Sequence, residues 1–195
     1  TKVIHKYEAL IRYITKDGVE IAPYNFINVA KKTKLYPNII KIVIQDAFKL
    51  IKNKNKRVSV NISFDDIANE ETTTFIYEIL EQHKEYTKFL EFEILESEEI
   101  SDFNEVSRFI SEIKKFDCIV GVDDFGAGYS NFNLLTLLDI DFVKIDGSLI
   151  EKITTSKDLE IIVNTIANFS KEFKVKTVAE YVSNEDIYNK IKELN

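Results

Sequence analysis

Six short apolar runs alternate along this chain with segments whose apolar residues recur at helical spacing, and this alternation most constrains what the chain can fold into. The strand-like runs are predicted at 3–13, 57–62, 89–94, 118–123, 141–145 and 176–179, each rich in β-branched or aromatic residues and each followed by a polar turn. Between them lie Ile40, Val43, Ile44, Ala47 and Ile51; Val106, Phe109, Ile110 and Ile113; and Leu159, Ile162, Val163, Ile166 and Phe169. Ile187, Ile191 and Leu194 repeat the pattern at the end. Strands alternating with helices predict an α/β fold built on a parallel sheet or barrel.

At or near the end of each run stands an acid, an amide or a lysine: Glu8, Asn61, Glu93, Asp123 with Asp124, Lys144 with Asp146, and Glu180. In a parallel α/β fold successive strand ends lie side by side on one rim, where active sites are built. Oxygen donors of this kind suit Mg²⁺ or Mn²⁺, whereas zinc prefers imidazole or thiolate. Asn61 shares its strand face with Ser59, while Val58 and Val60 face the other way. Asp123 and Asp124 would point to opposite faces of a regular strand, so both serve one site only if the strand is already turning. The turn is expected from Phe125, Gly126, Ala127 and Gly128.

With 195 residues, 45% of them hydrophobic, the chain is long enough to bury one substantial core, and its two prolines and five glycines offer no long linker. One domain over 1–195 is expected. The chain opens on Thr1 and holds no methionine, so a piece incomplete at both ends is the expectation. Cys118, the only cysteine, has apolar neighbours that place it in the core. No apolar run approaches the roughly 20 residues of a membrane-spanning helix, and no signal-peptide pattern opens the chain. A cytoplasmic domain is expected, whether or not its parent is anchored to a membrane. The net charge of -7 disfavours duplex nucleic acid as partner. A small phosphodiester is compatible, because bound cations reverse the local field.

Single acids at strand ends are commonly turn residues or helix caps, and Asp124 alone would read that way. The basic run KLIKNKNKR from Lys49 to Arg57 falls at a helix end, where cations complement the dipole. His5 and His83 belong to no triad or zinc pattern. Asp124-Phe-Gly comes without the glycine-rich loop or His-Arg-Asp sequence of a protein kinase.

The residues resemble the EAL-domain cyclic di-GMP phosphodiesterases. The blocks that carry the resemblance follow in order: Glu8-Ala9-Leu10 continuing to Arg12, Val60-Asn61-Ile62-Ser63, Glu93-Ile-Leu-Glu96-Ser97, Asp123-Asp124-Phe-Gly-Ala-Gly-Tyr129-Ser130, Lys144-Ile-Asp146 and Val178-Ala-Glu180. The resemblance implies a modified (β/α)₈ TIM-type barrel that hydrolyses one phosphodiester of cyclic di-GMP to linear pGpG in bacterial second-messenger signalling. It implies two Mg²⁺ or Mn²⁺ ions with inhibition by Ca²⁺. Glu8, Asn61, Glu93 and Asp123 would hold one metal, and Asp123, Asp124 and Glu180 the second. Lys144 would orient the nucleophile and stabilise developing charge. Glu180 is the family's general base as well as a ligand, Arg12 its phosphate contact, and Glu96 the residue that holds the Asp-Asp-Phe-Gly loop. Asp146 either caps the next helix or binds substrate. Homodimers, and fusion to or partnership with diguanylate-cyclase (GGDEF) or sensor domains, are common in the family.

The chain departs from the pattern in places. The family's first strand, with Gln-Pro-Ile, and its last, after Gln-Gly-Tyr or Gln-Gly-Phe, are absent, and an eight-stranded barrel does not close without them. Tyr181 and Ser183 stand where the family has glycine and a second glutamate, Leu95 replaces a threonine, and Lys31 replaces an acid. A weakened rate is expected from Ser183. Beside the hydrolase stand two other readings, a receptor that binds cyclic di-GMP without cleaving it and a scaffold that binds no nucleotide. The acid set argues against the scaffold, since crowded like charges are costly to keep without a cation.

Overall fold

A computed structural model describes residues 4–33, 36–95, 102–127 and 132–194. They form two compact units, Thr1–Phe92 with Glu112–Ile119, and Glu93–Ser111 with Val120–Asn195. The chain passes from one to the other three times, at 92–93, 111–112 and 119–120.

In the first unit, β1 (Lys6–Ala9) is followed by a small antiparallel pair, β2 (Tyr13–Ile14) and β3 (Glu20–Ile21), then by α1 (Ile27–Lys31) and α2 (Tyr36–Lys54). The helix α2 buries Ile40, Ile44, Ala47, Phe48 and Ile51, one stripe at 3.6-residue spacing. It ends with Lys52 and Lys54 in its last turn, which accounts for the basic run. β4 (Arg57–Ile62) pairs in parallel with β1 in a register that sets Glu8 beside Ser59. Both of its faces are covered, so Val58, Ser59 and Val60 are all fully buried. α3 (Phe64–Ala68) and α4 (Glu70–Gln82) follow. Ser63 caps α3 in a capping box: Asp66 donates its backbone N–H to Ser63 Oγ, and its carboxylate accepts from the Ser63 backbone N–H at 2.9 Å. The strand order is β1-β4-β5, with β5 at Leu90–Leu95. Glu91 is buried between Lys6 Nζ at 3.0 Å and Arg57 Nη1 at 3.3 Å.

The second unit takes up β5 at Glu93 and continues through α5 (Phe103–Lys114), β6 (Ile119–Phe125), α6 (Asn133–Leu137), β7 (Phe142–Ile145), α7 (Gly147–Glu151), α8 (Lys157–Glu172), β8 (Lys176–Ala179) and α9 (Glu185–Glu193). Its strand order is β5-β6-β7-β8, with β6, β7 and β8 parallel. Helices supply the crossovers that parallel strands require. Phe125, Phe132, Phe169 and Phe173 form a chain of ring contacts with centroids 4.7 to 5.6 Å apart. Cys118 is buried as expected, and burial, with the charge of Asp117, pushes its thiol up to about 12.

Two differences from the sequence reading bear on the placement of the candidate residues. The first run ends at Ala9 rather than extending to residue 13, because Leu10 is half exposed and the chain turns toward the β2–β3 pair. Glu8 and Arg12 therefore do not share one strand face. In β6 the register against β7 shifts between Val122 and Phe125, so the strand includes both aspartates and turns within itself rather than after Phe125. No described helix is long and apolar enough to cross a membrane.

Candidate active site

Lys144 is the organising residue of the second unit. All four residues of β7 are buried, and Lys144, flanked by Val143 and Ile145, is only 6% exposed. An ammonium so placed must be satisfied, and its three donors meet three carboxylates. Lys144 Nζ lies 2.8 Å from Asp123 Oδ1 on β6, 2.8 Å from Glu180 Oε1 just past β8, and 3.2 Å from Glu93 Oε2 on β5. Burial alone would lower the lysine's pKa. Hydrogen bonds to Asp123 and Glu180, with the charges of Glu93 and Asp123, more than reverse this and raise it. Lys144 stays charged.

Asp124 takes a left-handed backbone conformation, φ +54°, one that aspartate tolerates better than most residues. This, with the register shift, sets two consecutive carboxylates to one task. Asp124 donates its backbone N–H to Asp123 Oδ1 at 3.0 Å, and Asp123, Asp124 and Glu180 offer carboxylate oxygens within 4.8 Å of one another. Burial, then the charges of Asp123, Asp146 and Glu180, push the Asp124 carboxyl up to about 6, while Lys144 pulls the other way. One ammonium does not neutralise so many acids. An oxygen-only donor set with unrelieved mutual repulsion fits a hard divalent cation.

The first unit contributes a second set of donors. Asn61 Nδ2 donates to Glu8 Oε1 at 3.1 Å. Since a carboxylate only accepts, the amide oxygen is the atom left over, and Asn61 Oδ1 is buried with no hydrogen-bond partner among the described residues. Such an orphaned acceptor also fits a cation. Ser59 Oγ, two residues earlier on the same face, is buried and unpartnered too. The sequence marked Ser59 only as a face marker; its parity with Asn61 was the available signal.

The remaining expected residues are placed as follows. Arg12 gives Nε to Glu20 Oε1 at 3.0 Å and Nη1 to the Ile11 carbonyl at 2.9 Å. It lines a mainly apolar cleft of about 840 Å³ with Leu10, Phe26, Val29 and Val43, a cleft that includes none of the expected ligands. Asp146 caps α7, accepting from the Ser148 backbone N–H at 2.8 Å and from its hydroxyl. Glu96, Tyr129 and Ser130 lie outside the described residues. Tyr181 follows Glu180 directly, exposed and at φ +52°.

The EAL domain family model matches residues 1–195. Cyclic di-GMP phosphodiesterase PdeB of Shewanella oneidensis is 27% identical over 194 residues, covering 97% of this chain and 23% of that protein. The chain spans about a quarter of the length of the first curated relatives it matches. The crystal structure of an EAL domain protein from Listeria monocytogenes EGD-e superposes with a TM-score of 0.87 at 28% identity, covering 96% of this chain and 75% of that one. The PaMucR phosphodiesterase in complex with c-di-GMP gives 0.83 at 26% identity, covering 96% and 78%. The α/β architecture described above is thus that of solved EAL domains, consistent with part of a TIM-type barrel.

Proposed function

The chain belongs to the EAL domain family, and from that premise we propose that it is a metal-dependent phosphodiesterase that hydrolyses cyclic di-GMP to the linear dinucleotide pGpG. The observation that carries this reading is the buried Lys144, whose ammonium is within 3.2 Å of Glu93, Asp123 and Glu180. A protein that needed only a stable core would be served as well or better by apolar residues here, because buried ionic clusters rarely stabilise a fold.

In this reading Asp123, Asp124 and Glu180 hold one cation, and Glu8, Asn61 and Glu93, with Asp123 shared, hold the other. A pair of Mg²⁺ or Mn²⁺ ions, when bound, supplies Lewis-acid polarisation of the phosphoryl group and acidification of the attacking water. Lys144, protonated at Nζ, directs its donors at the attacking water or a phosphoryl oxygen as negative charge develops there. Glu180 in this reading is first a ligand, and its carboxylate also takes the proton that the water gives up. Arg12 exchanges Glu20 for a substrate phosphate. Asp146 acts by capping α7, which holds the turn after β7. Glu96 steadies the loop after the two aspartates. The same reading has the domain acting in the cytoplasm, as a homodimer, beside a diguanylate-cyclase or sensor domain.

The test is product analysis by chromatography with Mg²⁺ or Mn²⁺ present. Cleavage to pGpG is expected, lost in Glu8→Ala and Asp123→Ala, with Ca²⁺ supporting binding but not turnover. Intact substrate after prolonged incubation with either metal would refute the hydrolase. Binding without turnover would select the receptor reading, which Ser183 favours because a hydroxyl supplies no carboxylate beside Glu180.

A further inference from the structure

Tyr181 is held at a conformational cost that the fold does not recover. In the left-handed region a Cβ crowds the following carbonyl oxygen, a strain that glycine escapes, and Tyr181 sits there at φ +52°. Aromatic rings usually repay their ordering by burial. This one is 64% exposed and makes no hydrogen bond, ion pair or ring contact among the described residues. Its base rests on Gly147, where an added Cβ would come within 3.0 Å of the Tyr181 Cβ and 3.7 Å of its Cγ. Gly147 opens α7 directly after the capping Asp146. Thus Tyr181 stands between Glu180, hydrogen-bonded to Lys144, and the turn after β7.

Strain retained without a packing return is a feature of working sites. The acids and Lys144 provide everything a phosphodiester needs and nothing for a nucleobase. We propose that the Tyr181 ring stacks on one base of the cyclic dinucleotide and so acts as a substrate-positioning residue. The inference rests on the cyclic di-GMP reading above. Stacking uses the face of the ring, so the hydroxyl is dispensable, and it acts on binding rather than on the bond-breaking step.

The experiment compares wild type, Tyr181→Phe, Tyr181→Ala and Tyr181→Gly by calorimetric titration with cyclic di-GMP in Ca²⁺, by KM and kcat in Mg²⁺, and by thermal melting. Tyr181→Ala and Tyr181→Gly are expected to bind about 5- to 150-fold more weakly, the range seen when a base-stacking aromatic is truncated. The loss should appear in Kd and KM rather than kcat. Tyr181→Phe should restore wild-type affinity. Tyr181→Gly should melt at or above the wild-type temperature, so that a weaker binder is the better-folded protein. Unchanged affinity in Tyr181→Gly, or a Tyr181→Phe variant as weak as Tyr181→Gly, would overturn the stacking assignment while leaving the substrate reading intact. A cooperatively melting wild type that binds no cyclic di-GMP would overturn both.

Discussion

Replacing Lys144 by methionine keeps most of the side-chain volume and deletes only the charge, which isolates the electrostatic role of the ammonium. The side chains left behind are Glu93 at 0% exposure, Asp123 at 10% and Glu180 at 29%. Removing one partner of a buried ionic cluster costs about 3–5 kcal/mol, because the remaining charges are stranded. Glu180 is partly reached by water, so the lower end applies, about 3 kcal/mol, and a domain of this size should lose roughly 6–12 °C in Tm. Lys144 has its folded pKa raised above the usual 10.5, so its stabilisation is fully present below 10.5 and fades only as pH rises beyond that. In the variant Asp124 loses the opposing pull of Lys144 and its carboxyl is pushed further up, so the deficit against wild type should narrow as the pH falls from 7.5 toward 5. Urea unfolding in chelator at both pH values measures the difference, and millimolar Mg²⁺ should shrink it, because a cation replaces the missing positive charge. A deficit below about 1 kcal/mol at pH 7.5, or one that does not change with pH, would refute the view that Lys144 holds these acids together.

Three further outcomes are expected. Gly121→Ala places a Cβ 2.2 Å from Phe142 Cζ across the β6–β7 pair, so the ring must move, at about 1–3 kcal/mol or more in the urea midpoint; an unchanged midpoint would show that Phe142 relaxes freely. Ser63→Ala removes the capping hydroxyl of α3 and should cost about 0.5–2 kcal/mol in thermal unfolding, whereas Ser63→Thr should restore most of it. Asp124, raised from its usual 3.8 to about 6, binds a proton in the metal-free fold that the unfolded chain has already lost, so stability should fall as pH rises from about 4 to 6. Asp124→Asn should flatten that slope, and Mg²⁺ binding near pH 5.5 should release protons, read by calorimetry in buffers of different ionisation enthalpy.

Periodicity alone made part of this molecule legible. The bounds of β4 and β8 agree with the sequence reading because their runs stop abruptly at polar residues, and the stripe of α2 was visible at Ile40, Ile44, Ala47 and Ile51, whereas Phe48 completes it and Val43 is only half-buried. β1 was read too long because Leu10 and Ile11 continue an apolar pattern that the chain spends outside the sheet. Glu91 and Glu93 share a face of β5 by the strand's two-residue period, yet one meets Lys6 and Arg57 and the other meets Lys144. Sequence spacing identifies the common face but not the partners, which come from strands far away in the chain. The candidate donors were legible because they recur at strand ends. The left-handed turn at Asp124 was not, since it depends on the pairing of β6 with β7, and neither was the exposure of Tyr181.

The register shift in β6 carries a consequence for how this sequence tolerates change. A regular pleat would send one of two successive aspartates to the far side, and the extra residue between Val122 and Phe125 cancels that alternation. Shortening the strand by one residue there would mend the ladder and tidy the sheet, yet send the two carboxylates to opposite sides. Lineages that drift toward the neater strand would keep a folded domain and lose its paired carboxylates.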